Sequence, residues 1–424
     1  MKDSFIKLTT EFIRQFKFLL FIALAGFTSI ISLAHETKPE PPLLLHAARI
    51  FDGEQFSSDT SILIKDGYVA KIDLRESFKL TDDVIIIDLG DATILPGFIE
   101  LHAHLAYQHV PAATVLQHGI TTIRDVGGPV HQPYGGDGSL RVLTSGPIIT
   151  APNGYPISIL GAKDIALAVS SEQEARKVVR ELIKQGSVVI KIALEPGGEA
   201  GAPWSGHHNH HDDEIVTQGH HSHHHSPQHG TAHSDQTWPL LSENIVKTIV
   251  EEAHKNNRRV TAHIAEINGA QIAIAAGVDE WAHIPCDVIP EPLLKRAASQ
   301  KVKIVTTFDT LSKCTGASRN ASTWTALGGD FLYGAEIAHP DIPWGIDAQE
   351  LIYMKQMAGM KLIDILQAAT SKAGQHLNIP LLGTLQPGAP ADIIAIKGNP
   401  ADNLKKLEYP DLVISGGKVI VNNF

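Results

Sequence analysis

The sequence predicts an α/β protein in which eight parallel strands alternate with helices and close into a barrel. Three observations favour this fold class. Apolar runs of strand length recur between helix-like segments, as in a parallel sheet with crossover helices. Eight such runs are present, the number that a (β/α)8 TIM barrel needs. The candidate metal-binding side chains lie at or near the carboxyl ends of these runs, where such barrels carry their active sites.

The predicted barrel occupies residues 93–380. Its strand candidates are 98–104, 120–126, 141–150, 187–194, 259–264, 279–284, 302–308 and 330–335, and its helix candidates are 171–185, 242–257, 266–276, 289–299 and 347–358. The segment from Ser171 to Glu174 opens its helix as a capping box. A doubly wound open sheet is the rival architecture, but no glycine-rich nucleotide loop supports it.

Short strand-like runs at both ends of the chain predict a second, smaller domain. The runs are 43–51, 61–65, 68–73, 84–89, 392–397, 411–415 and 418–422. Asp52-Gly53 and Asp66-Gly67 are typical turn dipeptides between them. Neither end has enough strands to bury a face alone. We therefore expect one small β-sandwich built from residues 41–92 together with residues 381–424.

The amino terminus has the features of an export signal. Lys2, Lys7, Arg14 and Lys17 precede the apolar run Phe18–Ala34, which ends in a small-x-small site suited to cleavage before His35. An uncleaved membrane anchor is the alternative, but the run is shorter than the roughly 20 residues of a membrane span. We therefore predict a signal peptide at 1–34, a secreted or periplasmic protein, and no stable membrane span after cleavage.

Charge and cysteine content limit the other possibilities. The formal net charge is −11, and no basic stripe or aromatic platform is present, which argues against nucleic-acid binding. Cys286 and Cys314 are too few for a disulfide framework. An exported chain could oxidise this one pair, or the two could be separate buried thiols. The sequence leaves both alternatives open.

The most informative motif is His102-Ala103-His104, which closes the apolar run after Pro96-Gly97. Residues i and i+2 of a strand point to the same side, so the two imidazoles can bind one metal ion from a strand end. Further candidates follow later runs. They are Lys191 inside an apolar run, His263 and His283 at the ends of two others, and Glu336 at the end of a fifth.

The ordered set of His-x-His, Lys, His, His and acid resembles the amidohydrolase superfamily, which consists of metal-dependent hydrolases built on a (β/α)8 barrel. The similarity runs from about Leu43 to the carboxyl terminus. It includes the stretches Thr121–Gly127 and Leu382–Asp392. The local sequence is closest to the imidazolonepropionase-like and prolidase-like branches. Relatives in this superfamily often carry the small β-sandwich, and their barrels commonly self-associate into homo-oligomers.

The resemblance implies a divalent metal centre, with Zn²⁺ as the expected metal and one or two ions. His102, His104, His263 and His283 would be ligands. In the binuclear branch Lys191 would be carboxylated at its Nζ by CO₂ and would bridge two ions, since burial favours the neutral amine that this reaction needs. Alternatively, the Lys191 ammonium pairs with an acid or supports a one-metal site.

Glu336 departs from the family pattern, in which this strand ends in Gly-Thr-Asp. The sequence here is Gly334-Ala335-Glu336. We expect Glu336 to bind metal and to act as the general base. The alternative acids are Asp330, Asp341 and Asp347, although Asp330 is expected to start the strand and Asp347 to cap the helix at 347–358.

Other residues are weaker candidates for the pocket. Tyr155 lies in a turn-rich loop after the third strand, and Arg124-Asp125 ends the second strand, where a supporting ion pair is expected rather than direct catalysis. Four single histidines could line the pocket, although each is more often a surface or packed residue. They are His109, His118, His131 and His339.

One insertion stands apart from the barrel pattern. Residues 207–233 contain eleven of the 23 histidines and no apolar period. Clustered imidazoles bind Zn²⁺, Ni²⁺ or Cu²⁺. A metal-gathering role and a tolerated low-complexity segment are equally compatible with this composition.

The sequence therefore predicts a hydrolase that cleaves a carbon–nitrogen bond in a small peptide or a cyclic amide through a metal-bound hydroxide. Hydrolysis of an ester, a lactone or a phosphoester on the same site is the first alternative. The second is a periplasmic metal-binding protein that is not an enzyme and acts through residues 207–233.

Overall fold

The computed structural model describes residues 41–79, 81–162, 164–197 and 237–424. The predicted signal peptide at 1–34 and the insertion at 207–233 lie outside these residues. None of the helices in the described part of the chain is both long and apolar enough to cross a bilayer.

The strands of the described residues are numbered in chain order. They are β1 (Leu43–His46), β2 (Arg49–Phe51), β3 (Phe56–Ser58), β4 (Thr60–Lys65), β5 (Tyr68–Leu74), β6 (Ile85–Asp88), β7 (Ala92–Pro96), β8 (Phe98–Ala103), β9 (Ile120–Asp125), β10 (Arg141–Thr144), β11 (Ile148–Thr150), β12 (Ala166–Ala168), β13 (Val189–Leu194), β14 (Arg259–Ile264), β15 (Glu280–Trp281), β16 (Lys303–Val305), β17 (Asp330–Leu332), β18 (Ile393–Lys397), β19 (Leu412–Ser415) and β20 (Lys418–Asn422).

The helices of the same residues are numbered in the same way. They are α1 (Leu105–Gln108), α2 (Ala112–Gln117), α3 (Ile157–Leu160), α4 (Glu172–Gln185), α5 (Glu243–Lys255), α6 (Ile267–Ala276), α7 (Glu291–Ser299), α8 (Ala317–Ala326), α9 (Ala348–Gln356), α10 (Leu362–Ala369) and α11 (Ser371–His376), with two short 3-10 turns at Arg75–Ser77 and Leu404–Leu407.

The central part of the chain confirms the α/β organisation. Its strands form a three-stranded sheet in the order β10-β9-β8 and a seven-stranded sheet in the order β12-β11-β13-β14-β15-β16-β17. Every neighbouring pair in both sheets is parallel. The carboxyl ends of neighbouring strands therefore lie together at one edge of each sheet.

The expected single ring of eight strands is thus found as two sheets, with hydrogen bonds across both gaps between them. On one side the His104 N–H donates to the Ile337 carbonyl at 3.0 Å, and Ala103 pairs in parallel with Ile337. On the other side the Val188 N–H donates to the Thr144 carbonyl at 2.9 Å.

Two local features interrupt the pairing. Gly146 divides the predicted strand 141–150 into β10 and β11, since its φ of +69° suits glycine and strains other residues. The register of β8 against β9 shifts between Glu100 and Ala103. There the buried Glu100 carboxylate accepts the N–H groups of His102 and Ala335, so these groups do not extend the strand ladder.

The helices agree closely with the sequence pattern where the pattern was strong. Helix α4 begins as predicted, because the Ser171 hydroxyl accepts the Glu174 N–H. The Glu174 carboxylate accepts the Ser170 N–H in return. The short helices α1, α2 and α3 were not predicted from the sequence, and neither were α8, α10 and α11.

The two ends of the chain meet in two further sheets. One has the order β5-β4-β1-β6, and the other has the order β20-β19-β18-β7-β2-β3. Strand β7 from the first part of the chain pairs antiparallel with β18 from the last part. One apolar cluster contains residues of both sheets, including Leu45, Ile62, Ile94, Ile393 and Ile414.

The two cysteines form a disulfide. Cys286 follows β15 and Cys314 precedes α8, with their Cα atoms 4.9 Å apart. Asn320 of α8 reinforces this link, because its buried side chain accepts the Ile289 N–H and donates to the carbonyl of Asp287. The loop that follows His283 is therefore fixed to the start of α8.

Candidate metal centre

The candidate ligands lie at the carboxyl ends of the parallel strands. His102 is the penultimate residue of β8 and His104 follows the strand, Lys191 and His263 lie within β13 and β14, and His283 follows β15 by two residues. Glu336 follows β17 by four residues, so the prediction that it ends a strand is wrong. The N–H of Ala335, the residue before Glu336, donates to the Glu100 carboxylate.

Three of these side chains converge on one point. The Nε2 atoms of His102 and His104 lie 3.2 Å apart, and Glu336 Oε1 lies 3.9 Å from His104 Nε2. Their candidate ligand atoms all lie within 4.8 Å of one another. Two nitrogens bound to the same Zn²⁺ at about 2.0–2.1 Å have a comparable separation. This donor set therefore fits one divalent cation.

Two further imidazoles pack beside this group. The ring centroids of His102 and His283 are 4.3 Å apart, and those of His263 and His283 are 4.7 Å apart. Glu336 Oε2 also lies 3.9 Å from His283 Nδ1. The four predicted histidines and Glu336 thus form one continuous cluster.

Hydrogen bonds orient the imidazole rings. His102 Nδ1 lies 2.8 Å from the Ala282 carbonyl and must donate to it, which directs Nε2 towards His104. His283 Nδ1 lies 3.1 Å from the Thr307 hydroxyl. Such bonds fix the ring position of metal-binding histidines and decide which nitrogen binds the ion.

The cluster is almost completely buried, and burial changes its titration. His102, His104, His263 and His283 are each at most 8% exposed. Burial, with help from the positive charge of Lys191, holds the pKa of each imidazole well below its usual value. The rings are therefore neutral at physiological pH, which is the form that binds metal.

Lys191 supplies a buried amine to the same cluster. Burial lowers its pKa to about 7, and Glu336 opposes this effect. Within the described residues, its Nζ has no hydrogen-bond partner. An unsatisfied buried amine is costly, and a cation site or a carbamate at this position would relieve that cost.

Glu336 occupies an unusual backbone position. Its φ is +67°, a region that non-glycine residues seldom adopt. The turn is held by the Ile337–Ala103 pairing and by the His339 N–H, which donates to the Glu336 carbonyl at 2.9 Å. Burial raises the pKa of the Glu336 carboxyl to about 7. A strained, largely buried carboxylate facing two histidines is typical of a functional position.

Two acids and a hydroxyl at this centre were not predicted from the sequence. Glu195 is buried one residue after β13, and its Oε2 lies 3.3 Å from His263 Nε2. Glu100 and Thr307 contact the cluster as described above. Glu195 could have been found, because it lies four residues after Lys191 and therefore on the same face of an extended segment.

The secondary candidates separate into two groups. Tyr155 joins the centre, since its ring lies 4.8 Å from that of His263 and 5.4 Å from that of Trp238. His339 is part of the Glu336 turn. The others lie elsewhere: His109 is exposed, His131 is half-buried, and His118 bonds the Trp344 carbonyl.

The alternative acids also lie outside the group of converging donors. Asp330 begins β17, as predicted, and pairs with Lys303. Asp347 caps α9, where its carboxylate accepts the Gln349 N–H. Asp341 is exposed. Glu336 is therefore the acid that the structure brings to the histidines.

Arg124 and Asp125 have separate supporting roles. Arg124 forms two hydrogen bonds to Glu280, and His376 Nε2 lies 2.5 Å from the same carboxylate. Burial alone would raise the pKa of Glu280, but Arg124 and His376 hold it below its usual value. Asp125 instead accepts the Ala106 N–H.

Comparison with known proteins agrees with this geometry. The sequence pattern of the amidohydrolase family matches residues 291–420. Ochratoxinase from Aspergillus niger is 27% identical over 278 residues, which is 61% of this chain and 51% of that protein. Residues 291–420 thus resemble the amidohydrolase family, and a larger part of the chain is similar to ochratoxinase. The aligned part thus spans about half the length of this curated relative.

Solved structures of similar proteins share the fold of this chain. The crystal structure of A. niger ochratoxinase superposes with a TM-score of 0.69 at 19% identity, covering 91% of this chain and 96% of that one. A putative prolidase from Bifidobacterium longum gives a TM-score of 0.71 at 22% identity, covering 90% and 95%. A Xaa-Pro dipeptidase with bound methionine gives 0.69 at 22% identity, covering 89% and 99%.

Proposed function

We propose that this protein hydrolyses a carbon–nitrogen bond in a small peptide or a cyclic amide and depends on a divalent metal. The convergence of His102, His104 and Glu336 carries the proposal, because their donor atoms lie within 4.8 Å of one another. The named activities of similar proteins, ochratoxinase and Xaa-Pro dipeptidase, support the choice of an amide bond.

Different residues of the chain would hold the metal ions. His102 and His104 would hold one divalent ion, with Zn²⁺ as the expected metal, and His263 and His283 would hold the same ion or a second one. Such an ion lowers the pKa of a bound water towards about 7 and polarises the scissile carbonyl. Lys191, carboxylated at Nζ, would help to hold two ions, since its low pKa provides the neutral amine that attacks CO₂ and then loses a proton.

Glu336 is assigned the proton transfer. Its carboxylate would accept a proton from the attacking water and return it to the departing nitrogen, so that the C–O bond forms and the C–N bond breaks without a free amide anion. A pKa raised to about 7 by burial suits both steps at neutral pH. The buried walls around the four histidines would exclude other water.

We also propose the finer architecture and the location. The hydrogen bonds that cross both gaps between the parallel sheets would close the strands into a (β/α)8 barrel. The apolar cluster shared by the two terminal sheets favours a β-sandwich made of residues 41–92 and 381–424. The charge pattern of residues 1–34 favours export to the periplasm, where the Cys286–Cys314 disulfide would be stable.

The test is a comparison of Glu336→Gln with Glu336→Asp on a panel of dipeptides, cyclic amides and aryl esters. At saturating metal, Glu336→Gln should reduce kcat by about 10²–10⁴-fold, because it removes the base. Glu336→Asp should keep part of the activity. His118→Ala, which alters a histidine outside the cluster, is the matched control and should leave turnover unchanged.

The panel also separates the alternatives. Turnover of the esters alone would replace the amide assignment with an ester or lactone hydrolase on the same centre. The proposal fails if no substrate is turned over by protein that holds its full metal content. A metal-binding role for residues 207–233 would then be the better account, and deletion of that segment should remove most of the bound metal.

A further inference from the structure

A buried carboxylate that has no counterpart in the predicted ligand set contacts the metal centre. Glu195 follows β13 by one residue and is 1% exposed. Its Oε2 lies 3.3 Å from His263 Nε2, and its Oε1 accepts the Gly197 N–H at 2.5 Å. The side chain is thus held at both oxygens, one of which faces an imidazole of the centre.

The position of Glu195 is fixed by the local backbone. The Trp238 N–H donates to the Pro196 carbonyl at 2.8 Å, and the Trp238 ring stacks on Tyr155 at 5.4 Å. The Tyr155 ring in turn packs on His263 at 4.8 Å. The His263 ring therefore packs against Tyr155 on one face, and its Nε2 atom contacts the Glu195 carboxylate.

A carboxylate at this distance assigns the ring proton. An ionised carboxylate only accepts hydrogen bonds, so His263 Nε2 must carry the hydrogen when the two groups bond. A neutral imidazole with its proton on Nε2 presents the lone pair of Nδ1 to a metal. His102 has the opposite arrangement, since the Ala282 carbonyl takes its Nδ1 proton and leaves Nε2 as the donor atom.

We infer that Glu195 is a positioning residue that makes His263 bind metal through Nδ1 and raises the basicity of that nitrogen. This inference rests on the proposed metal-dependent function. Carboxylate partners of metal-binding histidines contribute about 10–100-fold to metal affinity. Glu195 would do so without contacting the substrate or the ion.

The experiment measures metal binding rather than turnover, so that it can succeed even if no substrate is found. Full-length Glu195→Ala, Glu195→Gln and wild type are titrated with Co²⁺ and Zn²⁺ against a chelator. Ions held elsewhere are removed by subtracting the same titration of a His102→Ala/His104→Ala variant. Glu252→Gln is the control, because Glu252 is also buried but pairs with Arg180 on the helix surface.

The expected result is a loss of about 10–100-fold in affinity for Glu195→Ala and a smaller loss for Glu195→Gln, whose amide oxygen still accepts the Nε2 proton. A double-mutant cycle gives the decisive readout. In a His263→Ala background, Glu195→Ala should cause no further loss, because the carboxylate acts only through that ring.

Two results would overturn the inference. An equally large loss for Glu195→Ala in both backgrounds, together with a changed visible spectrum of bound Co²⁺ in Glu195→Gln, would make Glu195 a direct ligand. Unchanged metal affinity with a lowered melting temperature would make it a structural residue. Failure of the proposed hydrolysis would appear separately, as intact metal binding without turnover.

Discussion

Arg124 and Glu280 form a bidentate ion pair that is almost completely buried inside the parallel strand layer. The two Nη–Oε distances are 2.6 and 3.1 Å, and neither side chain is more than 2% exposed. Arg124 also donates from Nε to the Leu101 carbonyl, one residue before His102. The pair therefore supports the strand that carries two of the candidate ligands.

Loss of one partner should strongly destabilise the protein. Glu280→Gln leaves the Arg124 charge buried without its counterion, and such changes reduce the free energy of unfolding by about 3–5 kcal/mol. Chemical denaturation measures this change. Asp88→Asn is the control, since the Arg75–Asp88 pair is exposed and should contribute at most about 1 kcal/mol. Equal effects of the two substitutions would contradict the role of burial.

Substitution of Lys191 should reveal whether a carbamate forms. Lys191→Ala should lower metal affinity by at least about 100-fold if its carbamate is a ligand. Added acetate or propionate should restore part of the metal content, because a small carboxylate can occupy the space of the missing group. Lys191→Arg is the matched variant, since it keeps a cation but cannot be carboxylated. Full metal content in Lys191→Arg would exclude the bridge.

Asp125 predicts a pH-dependent stability. Burial raises its pKa from 3.8 to about 7, so the folded state holds its proton more tightly than the unfolded chain does. The stability due to the neutral carboxyl is therefore present below about pH 4 and is lost as the pH rises towards about 7. Asp125→Asn cannot ionise. The free energy of unfolding of Asp125→Asn, relative to that of wild type, should therefore rise by about 1.4 kcal/mol per pH unit between about pH 4 and about pH 7.

Unfolding curves at several pH values test this prediction. Asp73→Asn is a control of opposite sign, because Lys71 and the Leu74 N–H lower the pKa of Asp73 to about 2. Its stabilising effect is present at neutral pH and is lost as the pH falls. A constant difference between Asp125→Asn and wild type at all pH values would show that Asp125 does not titrate as proposed.

Removal of the disulfide should lower the stability of the folded protein. The bridge joins residues 28 positions apart, and closing a loop of this length contributes about 3–4 kcal/mol by restricting the unfolded chain. The double variant Cys286→Ser/Cys314→Ser should lose this amount in thermal or chemical unfolding. Reduction of wild type should have the same effect. A wild type that is indifferent to reductant would indicate that the thiols are unpaired in solution.

The sequence predicted the elements whose signals are local and strong. The positions of β8, β9, β13 and β14 follow from their apolar runs, and α4 follows from its capping box. The convergence of His102 and His104 follows from the two-residue period of a strand. These features depend on neighbouring residues, so a sequence displays them directly.

The remaining features depend on contacts between distant residues. Glu336 lies beyond β17, and the N–H of the preceding Ala335 bonds Glu100, more than two hundred residues earlier. The partner of Arg124 is Glu280 on another strand, and no short motif relates the two. Glu195 shares a face with Lys191 by its spacing, but its role depends on the contact with His263, which is distant in the sequence.

The pairing of β7 with β18 has a consequence for how the chain reaches its folded state. Thr93 lies opposite Ile396. Strand β7 is synthesised early, so it cannot pair until β18 has been made near the end of synthesis. Contacts of such large sequence separation form slowly. The apolar faces of the terminal sheets would therefore stay uncovered until nearly all of the polypeptide has emerged, and a chain truncated before β18 would expose them to aggregation.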